Sequence, residues 1–226
     1  MKIGILQTGH SPEDLRAQIG DYSDMFKHLL QGQGFEFDVY RVVDGQFPDS
    51  ALAADGWLIT GSKHGAYEDL PWIPPLEQLI QGIAEAGRPL IGICFGHQII
   101  AQALGGKVEK FSGGWAVGRQ TYDFGGVEMA FNAWHQDQVT ERPQGTVVLA
   151  SNDFCENAAL LYGDQILTIQ PHPEFGPDVI EGLINTRGKG VVPDDLLEAA
   201  QAQLDDHISS ESFADQMADF FRKERS

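Results

Sequence analysis

Cysteine and positive charge are both scarce in this chain of 226 residues. Its two cysteines, Cys94 and Cys155, cannot form a disulfide framework, so we expect a protein of a reducing compartment, the cytoplasm. The 15 lysine and arginine residues are outnumbered by 33 aspartate and glutamate residues, which leaves a formal net charge of −18. Nucleic acids and anionic membrane surfaces carry charge of the same sign, so neither is expected as a partner.

Long apolar runs are missing as well. No stretch approaches the ~20 apolar residues that a membrane-spanning helix needs, and the apolar run at residues 3–6 is too short for a secretory leader. The chain also has no Gly-x-x-x-x-Gly-Lys-Ser/Thr loop for ATP and no completed glycine fingerprint for a dinucleotide. Its histidines lack the His-Glu-x-x-His spacing, and its two cysteines are too far apart for a zinc knuckle. We therefore expect neither a cofactor nor a metal site.

The first hundred residues alternate between apolar runs and helical patterns. Strands are predicted at residues 3–6, 35–40, 57–60 and 90–94, and helices at 13–31, 76–83 and 96–104. This order predicts an α/β fold with an open, mostly parallel sheet and helices on both faces. Further short strands, predicted at 117–124, 127–131, 147–150, 159–162 and 166–169, would continue or flank the sheet in antiparallel pairings. Residues 1–226 are expected to form one domain, with helices of about 177–224, including a packed pair over 193–224, on its surface.

The segment Gly92–Gln98 places a cysteine where an apolar strand turns into a helix. Such a sharp turn exposes a nucleophile, and the glycines two residues before and after Cys94 leave room for it. The start of the helix directs partial positive charge at the sulfur and favours the thiolate. The backbone N–H of Phe95, unpaired at the helix start, would point at a developing oxyanion. The alternative is a buried structural cysteine, which this strand–Gly-x-Cys-x-Gly–helix pattern disfavours.

A thiol nucleophile needs a base, and the base needs a group that orients it. His172 and Glu174 follow the apolar run at 166–169, and in extended backbone their side chains point to the same side. Glu174 would then orient and stabilise the charged imidazole. An isolated His-x-Glu pair is more typical of an exposed polar turn, so this prediction depends on the cysteine segment.

Taken together, GICFGHQ and the later QPHPEF resemble the class I glutamine amidotransferase family. The resemblance implies a flavodoxin-like α/β fold, with Cys94 as nucleophile, His172 as general base and then acid, and Glu174 as the orienting carboxylate. Members attack the side-chain amide carbon of glutamine, form a γ-glutamyl thioester, release ammonia and hydrolyse the thioester with water. The expected partner is therefore a small-molecule γ-glutamyl substrate such as glutamine.

The resemblance implies further site residues. Gly61, in a turn after the strand at 57–60, would supply the second N–H of the oxyanion hole, beside that of Phe95. Gln98 would hold the substrate, and Gly114 and Trp115 lie where other members contact the α-amino and carboxylate groups. The segment 134–137 is similar to a histidine-containing loop near the mouth of the site.

The oxyanion turn departs from that of many biosynthetic members, which carry Gly-Gly-Pro there. Here Gly61 is followed by Ser, Lys and His. This turn resembles the one in stand-alone γ-glutamyl peptidases and in the glutaminase part of GMP synthase. Because no ATP-using synthetase half is present, ammonia would need a separate synthetase subunit to accept it. Three alternatives stay open: a stand-alone peptidase acting on glutathione-like compounds, a non-catalytic regulatory module, and another cysteine hydrolase of similar fold.

Overall fold

Eleven strands and seven α-helices are present in the structure, a computed structural model that describes residues 1–225. The strands are β1 (Lys2–Leu6), β2 (Glu36–Tyr40), β3 (Gly56–Ile59), β4 (Leu90–Ile93), β5 (Lys107–Lys110), β6 (Ala116–Asp123), β7 (Glu128–His135), β8 (Asp137–Glu141), β9 (Thr146–Ala150), β10 (Ala159–Tyr162) and β11 (Ile166–Ile169). The helices are α1 (Glu13–Ile19), α2 (Tyr22–Leu29), α3 (Ile73–Glu85), α4 (Phe95–Ala103), α5 (Pro177–Leu183), α6 (Asp194–Ala202) and α7 (Ser210–Arg222). A 3-10 turn spans Val42–Asp44, and a π-helical turn, Ile184–Gly188, continues α5. In this described part of the chain, no helix combines the length and apolar character needed to cross a bilayer.

Seven of the strands form a central sheet in the order β2-β1-β3-β4-β11-β10-β9. Neighbours from β2 to β11 pair in parallel, whereas β10 is antiparallel to both β11 and β9. The predicted open, mostly parallel sheet with additional antiparallel strands is therefore confirmed. Because β3, β4 and β11 are adjacent and parallel, their carboxyl ends meet at one edge, where open α/β sheets place their sites.

Helices cover both faces of this sheet, as predicted. Side chains alternate between the faces of a strand. In β3, Trp57 and Ile59 pack with side chains of α3 and α4, while Leu58 packs with side chains of α2 and α7. All three are fully buried, and each buried side chain of this size contributes about 1.5–3 kcal/mol. The two clusters thus hold the central strands in register from both sides.

Two antiparallel pairs, β5 with β8 and β6 with β7, flank the main sheet. The pattern in the sequence does not reveal β5 and β8, because most of their side chains are polar and only part of each strand is buried. It also ends β7 too early. The strand continues to His135, but Asn132 and His135 are polar although both are buried, so the apolar pattern that marks a strand is lost there.

The single helix predicted over residues 13–31 is wrong, because α1 and α2 are separate helices. Between them, Gly20 has a φ of +81°, which a right-handed helix cannot contain. Asp21 then caps α2: its carboxylate accepts from the Tyr22 N–H at 2.9 Å, and the Asp24 carboxylate accepts from the Asp21 N–H at 3.1 Å. This capping box starts a new helix even though the apolar periodicity runs across the break.

The predicted packed pair over residues 193–224 is also corrected. Two helices do form there, but α6 packs mainly on β6 and α5, whereas α7 packs on α2 and the central sheet. Residues 203–209 separate the two helices, so each apolar stripe covers a different part of the molecule.

Candidate active site

The turn between β4 and α4 presents Cys94 at the carboxyl edge of the sheet. Cys94 has φ 52° and ψ −101°, and no other non-glycine residue within 1–225 has a positive φ. Such a conformation costs of order 1–3 kcal/mol and persists only where the surroundings impose it. Here the Cys94 N–H donates to the carbonyl of Ile169 in β11 at 2.9 Å, and its carbonyl accepts from the Gln98 N–H at 3.0 Å. The central strand and the first turn of α4 therefore hold the strained residue from both sides.

Two glycines make this turn possible, as the sequence pattern predicts. A Cβ on Gly96 would lie 2.4 Å from the carbonyl oxygen of Ile59 in β3. A Cβ on Gly92 would lie 2.5 Å from a methyl group of Ile100 and 2.6 Å from the Gly96 carbonyl oxygen. The first turn of α4 thus packs directly onto backbone, which leaves no space for side chains on either side of Cys94.

His172 and Glu174 form a buried pair just beyond β11. The distance from Nδ1 of His172 to Oε1 of Glu174 is 2.7 Å, and the side chains are 4% and 0% exposed. With Nδ1 bound to the carboxylate, Nε2 is the ring nitrogen left to act on other groups. Burial disfavours the charged imidazole, but the Glu174 carboxylate and the nearby Cys94 sulfur outweigh it and raise the pKa of His172 to about 10. A charged imidazole whose second N–H is free can pass a proton to another group.

Two neighbours fix the orientation of the imidazole. The ring of Phe175 stacks on that of His172, with centroids 3.8 Å apart and planes 3° apart. Asn132 of β7 holds residues 172–175 at both ends. Its carbonyl accepts from the His172 N–H at 2.8 Å, and its side-chain amide donates to the Phe175 carbonyl at 2.8 Å. Sequence reasoning misses Asn132, because only the tertiary pairing of β7 with residue 172 gives it this position.

Gly61 lies against the same imidazole. A Cβ there would be 2.8 Å from Cε1 of His172 and 3.8 Å from the Cβ of Cys94, so the close approach requires glycine. The hydroxyl of Thr8 lies 2.9 Å from the carbonyl oxygens of both Thr60 and Gly61. A trans peptide places its N–H opposite its C=O. With the Thr60 carbonyl held toward Thr8, the Gly61 N–H is directed away from Thr8.

A cleft of about 590 Å³ opens over these groups. Cys94, His172, Gln98 and Trp115 are the predicted site residues that line it. Chemically, the arrangement offers a sulfur nucleophile, a charged imidazole that can carry a proton, and backbone N–H groups at the start of α4. Among residues 1–225, no cluster of histidine, cysteine, aspartate and glutamate is arranged to hold a metal ion.

The sequence model of the family described as glutamine amidotransferase class-I matches residues 19–183. The chain belongs to this family. Among curated relatives, gamma-glutamyl peptidase 3 of Arabidopsis thaliana is 33% identical over 190 residues, which cover 76% of each chain. One subunit of the glutamine-hydrolysing GMP synthase from Methanopyrus kandleri is 35% identical over 121 residues, 45% of this chain and 62% of that protein. Among solved structures, a glutamine amidotransferase of Methylobacillus flagellatus superposes with a TM-score of 0.75 at 22% identity, over 98% of this chain and 91% of that one.

Of the three residues expected to bind substrate, Trp115 and Gln98 line the cleft and Gly114 does not. Trp115 is half-buried in the cleft wall, whereas Gly114 beside it has φ +97° and is not part of the cleft lining. Gln98 is 3% exposed, and its amide nitrogen donates to the Asp137 carbonyl at 2.9 Å and to Oε1 of Gln170 at 3.1 Å. Only its amide oxygen is left to accept a hydrogen bond from a ligand.

Two further histidines lie near the site but remain neutral. His135 is in the cleft wall, and His97 is fully buried on α4. Burial, together with the charge of a neighbouring histidine, lowers the pKa of each to about 3. His97 is bound through Nδ1 to the Thr168 hydroxyl at 2.7 Å. At neutral pH these rings are uncharged, so neither can replace the charged imidazole of His172.

Proposed function

We propose that the chain hydrolyses the γ-glutamyl amide bond of glutamine or a γ-glutamyl compound, with Cys94, His172 and Glu174 as a catalytic triad. The observation that carries this proposal is the buried His172–Glu174 pair beside a cysteine held in a strained strand-to-helix turn. A lost triad residue or a bulky side chain at the turn would favour a non-catalytic regulatory module, and neither is present.

The reaction begins with attack of the Cys94 thiolate on the γ-carbonyl carbon. The C–S bond forms, and the carbonyl electrons move onto oxygen, where the N–H groups of Gly61 and Phe95 bind the oxyanion. The C–N bond then breaks as His172 gives its proton to the departing nitrogen, which leaves a γ-glutamyl thioester and neutral imidazole. His172 next takes a proton from water, the hydroxide attacks the thioester carbon, and glutamate leaves as Cys94 becomes a thiolate again.

Thr8 supports a preformed oxyanion hole in this mechanism. Thr8 and Thr60 are fully buried, and their hydroxyls lie 2.9–3.1 Å from one another and from the neighbouring carbonyl groups. Holding the carbonyls of Thr60 and Gly61 toward Thr8 leaves the Gly61 N–H free on the opposite side, the side we assign to Cys94. No rearrangement of this turn is then needed when substrate binds.

Two activities are compatible with this chemistry: that of a γ-glutamyl peptidase and that of a glutaminase. A γ-glutamyl peptidase activity is favoured by two relatives of that name, which are 33% and 31% identical over 76% and 90% of the chain. The second candidate is a glutaminase subunit that delivers ammonia to a separate synthetase.

A panel of glutamine, γ-glutamyl dipeptides and glutathione, assayed with the purified chain alone, tests the proposal. We expect release of glutamate, and we expect Cys94→Ala to lower turnover by about a thousandfold or more, as loss of a triad nucleophile does in other enzymes. Cys155→Ala is the matched control, because Cys155 is buried in the core outside the cleft. Undiminished hydrolysis by Cys94→Ala would refute the assignment.

A further inference from the structure

Positive charge is concentrated at the cleft of this acidic chain. Four of its 15 basic residues line the cleft, namely Lys63, Lys110, Arg187 and Lys189. Lys63 and Lys110 lie within electrostatic range of Glu68 and Asp137, which line the cleft as well. Arg187 and Lys189 form no ion pair with any group in residues 1–225, although Arg16 and Lys223, for example, are paired. These two cations are therefore available to an anionic ligand.

Arg187 is held in place before any ligand arrives. It lies on the π-helical turn after α5, and such turns are frequent at functional sites. One terminal nitrogen donates to the Tyr22 hydroxyl at 3.0 Å, and the other donates to the His10 carbonyl at 2.9 Å. The imidazole of His10 is in turn bound to Asp21 at 2.7 Å and to Asp44 at 3.1 Å. Arg187 thus uses two of its five N–H groups, and three remain for a ligand.

A line of aromatic rings connects Arg187 to the proton donor of the proposed reaction. The ring of His172 stacks on Phe175, and the ring of Phe175 lies 6.2 Å from that of Tyr22, whose hydroxyl accepts from Arg187. His172 must contact the departing nitrogen to protonate it. The leaving group therefore lies on the His172 side of the cleft, and the contacts through Phe175 and Tyr22 connect that side to Arg187.

We infer that Arg187 determines specificity by binding a carboxylate on the leaving group. This inference rests on the proposed function and narrows its substrate to γ-glutamyl amino acids or short peptides with a free carboxylate. A fixed guanidinium binds a carboxylate through two parallel hydrogen bonds. Lys189 adds positive potential at the same wall. Glutamine loses only ammonia, which carries no group for Arg187, so it is the poorer substrate.

Three compounds test this inference: a γ-glutamyl tripeptide with a free C-terminal carboxylate, the same compound as a C-terminal carboxamide, and glutamine. We expect the intact chain to prefer the carboxylate to the carboxamide by about tenfold or more in kcat/KM, the gain typical of a charge-assisted bond. Arg187→Gln should remove this preference by raising KM for the carboxylate, while kcat/KM for the other two compounds stays within about threefold. Arg142→Gln makes the same charge change on an exposed side chain outside the cleft and should alter none of the three.

Two results would overturn the inference. One is an equal kcat/KM of the intact chain for the carboxylate and the carboxamide peptide. This comparison needs no variant, so it remains decisive even if Arg187→Gln fails to fold. The other is an equal loss on all three compounds in Arg187→Gln, since this would mean that Arg187 does not act on the leaving group. An intact chain inert toward every γ-glutamyl compound would instead defeat the proposed function itself, and with it this narrower inference.

Discussion

At the scale of single residues, the site depends on side chains that are fully buried and yet polar. Thr8, Thr60 and Gln170 are all 0% exposed, and they lie behind the cleft rather than in it. Burying a polar group is unfavourable unless it finds hydrogen-bond partners. The hydroxyls of the two threonines bond to the carbonyls of Thr60 and Gly61, and that of Thr60 also accepts from the Thr8 N–H.

Replacing Thr8 tests whether this turn is set by that hydroxyl. Thr8→Val keeps the shape but loses the bonds to the carbonyls of Thr60 and Gly61. We expect kcat to fall by about tenfold or more with little change in KM, because the Gly61 N–H would no longer be fixed for the oxyanion. Thr8→Ser, which restores the hydroxyl, should recover most of the loss. Equal kcat values for Thr8→Val and the parent chain would show that the hydroxyl does not position the turn.

At the scale of elements, the junction of β3, β4 and α4 creates the strained conformation of Cys94. The start of α4 lies so close to the end of β3 that only glycine fits at position 96. The strain at Cys94 is thus imposed by strand and helix packing and does not depend on the cysteine side chain.

Gly96→Ala tests this packing directly. The added methyl group would meet the Ile59 carbonyl oxygen at 2.4 Å, so the helix must shift. We expect the free energy of unfolding to fall by about 1–3 kcal/mol or more, and hydrolysis to be lost. Gly82→Ala in α3 is the control, because its methyl group would meet only Ala51 at an ordinary 3.8 Å and alanine favours helix by about 1 kcal/mol. If the two variants were equally stable and active, α4 would not be held by this contact.

How far the sequence predicts the site depends on how local each interaction is. Cys94 with its flanking glycines, and His172 with Glu174, are short-range patterns, and the structure places these groups around one cleft edge. Asn132 and Arg187 act through contacts with residues far away in the chain, and no local pattern marks such contacts. For the same reason, β5 and β8, which are mostly polar, are absent from the predicted strands.

At the scale of the whole molecule, buried histidines couple stability to pH in opposite directions. Burial lowers the pKa of His97 and His135 to about 3, below the 6.5 of an unperturbed histidine. The unfolded chain then binds more protons, so stability falls as the pH drops from about 6.5 toward 3. For His172, burial is outweighed by Glu174 and Cys94, and the pKa rises to about 10. The stability that the charged His172 contributes to the folded chain is fully present below about pH 6.5 and is lost as the pH rises through 10.

Urea unfolding from about pH 5 to about pH 10 measures both effects. We expect His97→Gln to weaken the decline on the acid side and His172→Gln to weaken the decline on the alkaline side. The control is His28→Gln, since His28 is exposed on α2 and should change neither slope. Unchanged slopes in all three variants would mean that these rings do not carry the stated charges in the folded chain. That the 226 residues form one cooperative domain stays a prediction, and a single transition in these curves would support it.

The pairing of Cys94 with His172 is tested most directly by the rate at which iodoacetamide alkylates each cysteine near pH 7. Burial raises the pKa of Cys155 to about 12, whereas Cys94 lines the cleft beside a charged imidazole. We predict that Cys94 reacts at least about 100-fold faster than Cys155, because the raised pKa of the buried Cys155 leaves almost none of it as thiolate near pH 7. His172→Ala should slow Cys94 by about tenfold or more. Equal rates for the two cysteines, or a Cys94 rate that His172→Ala leaves unchanged, would contradict the account.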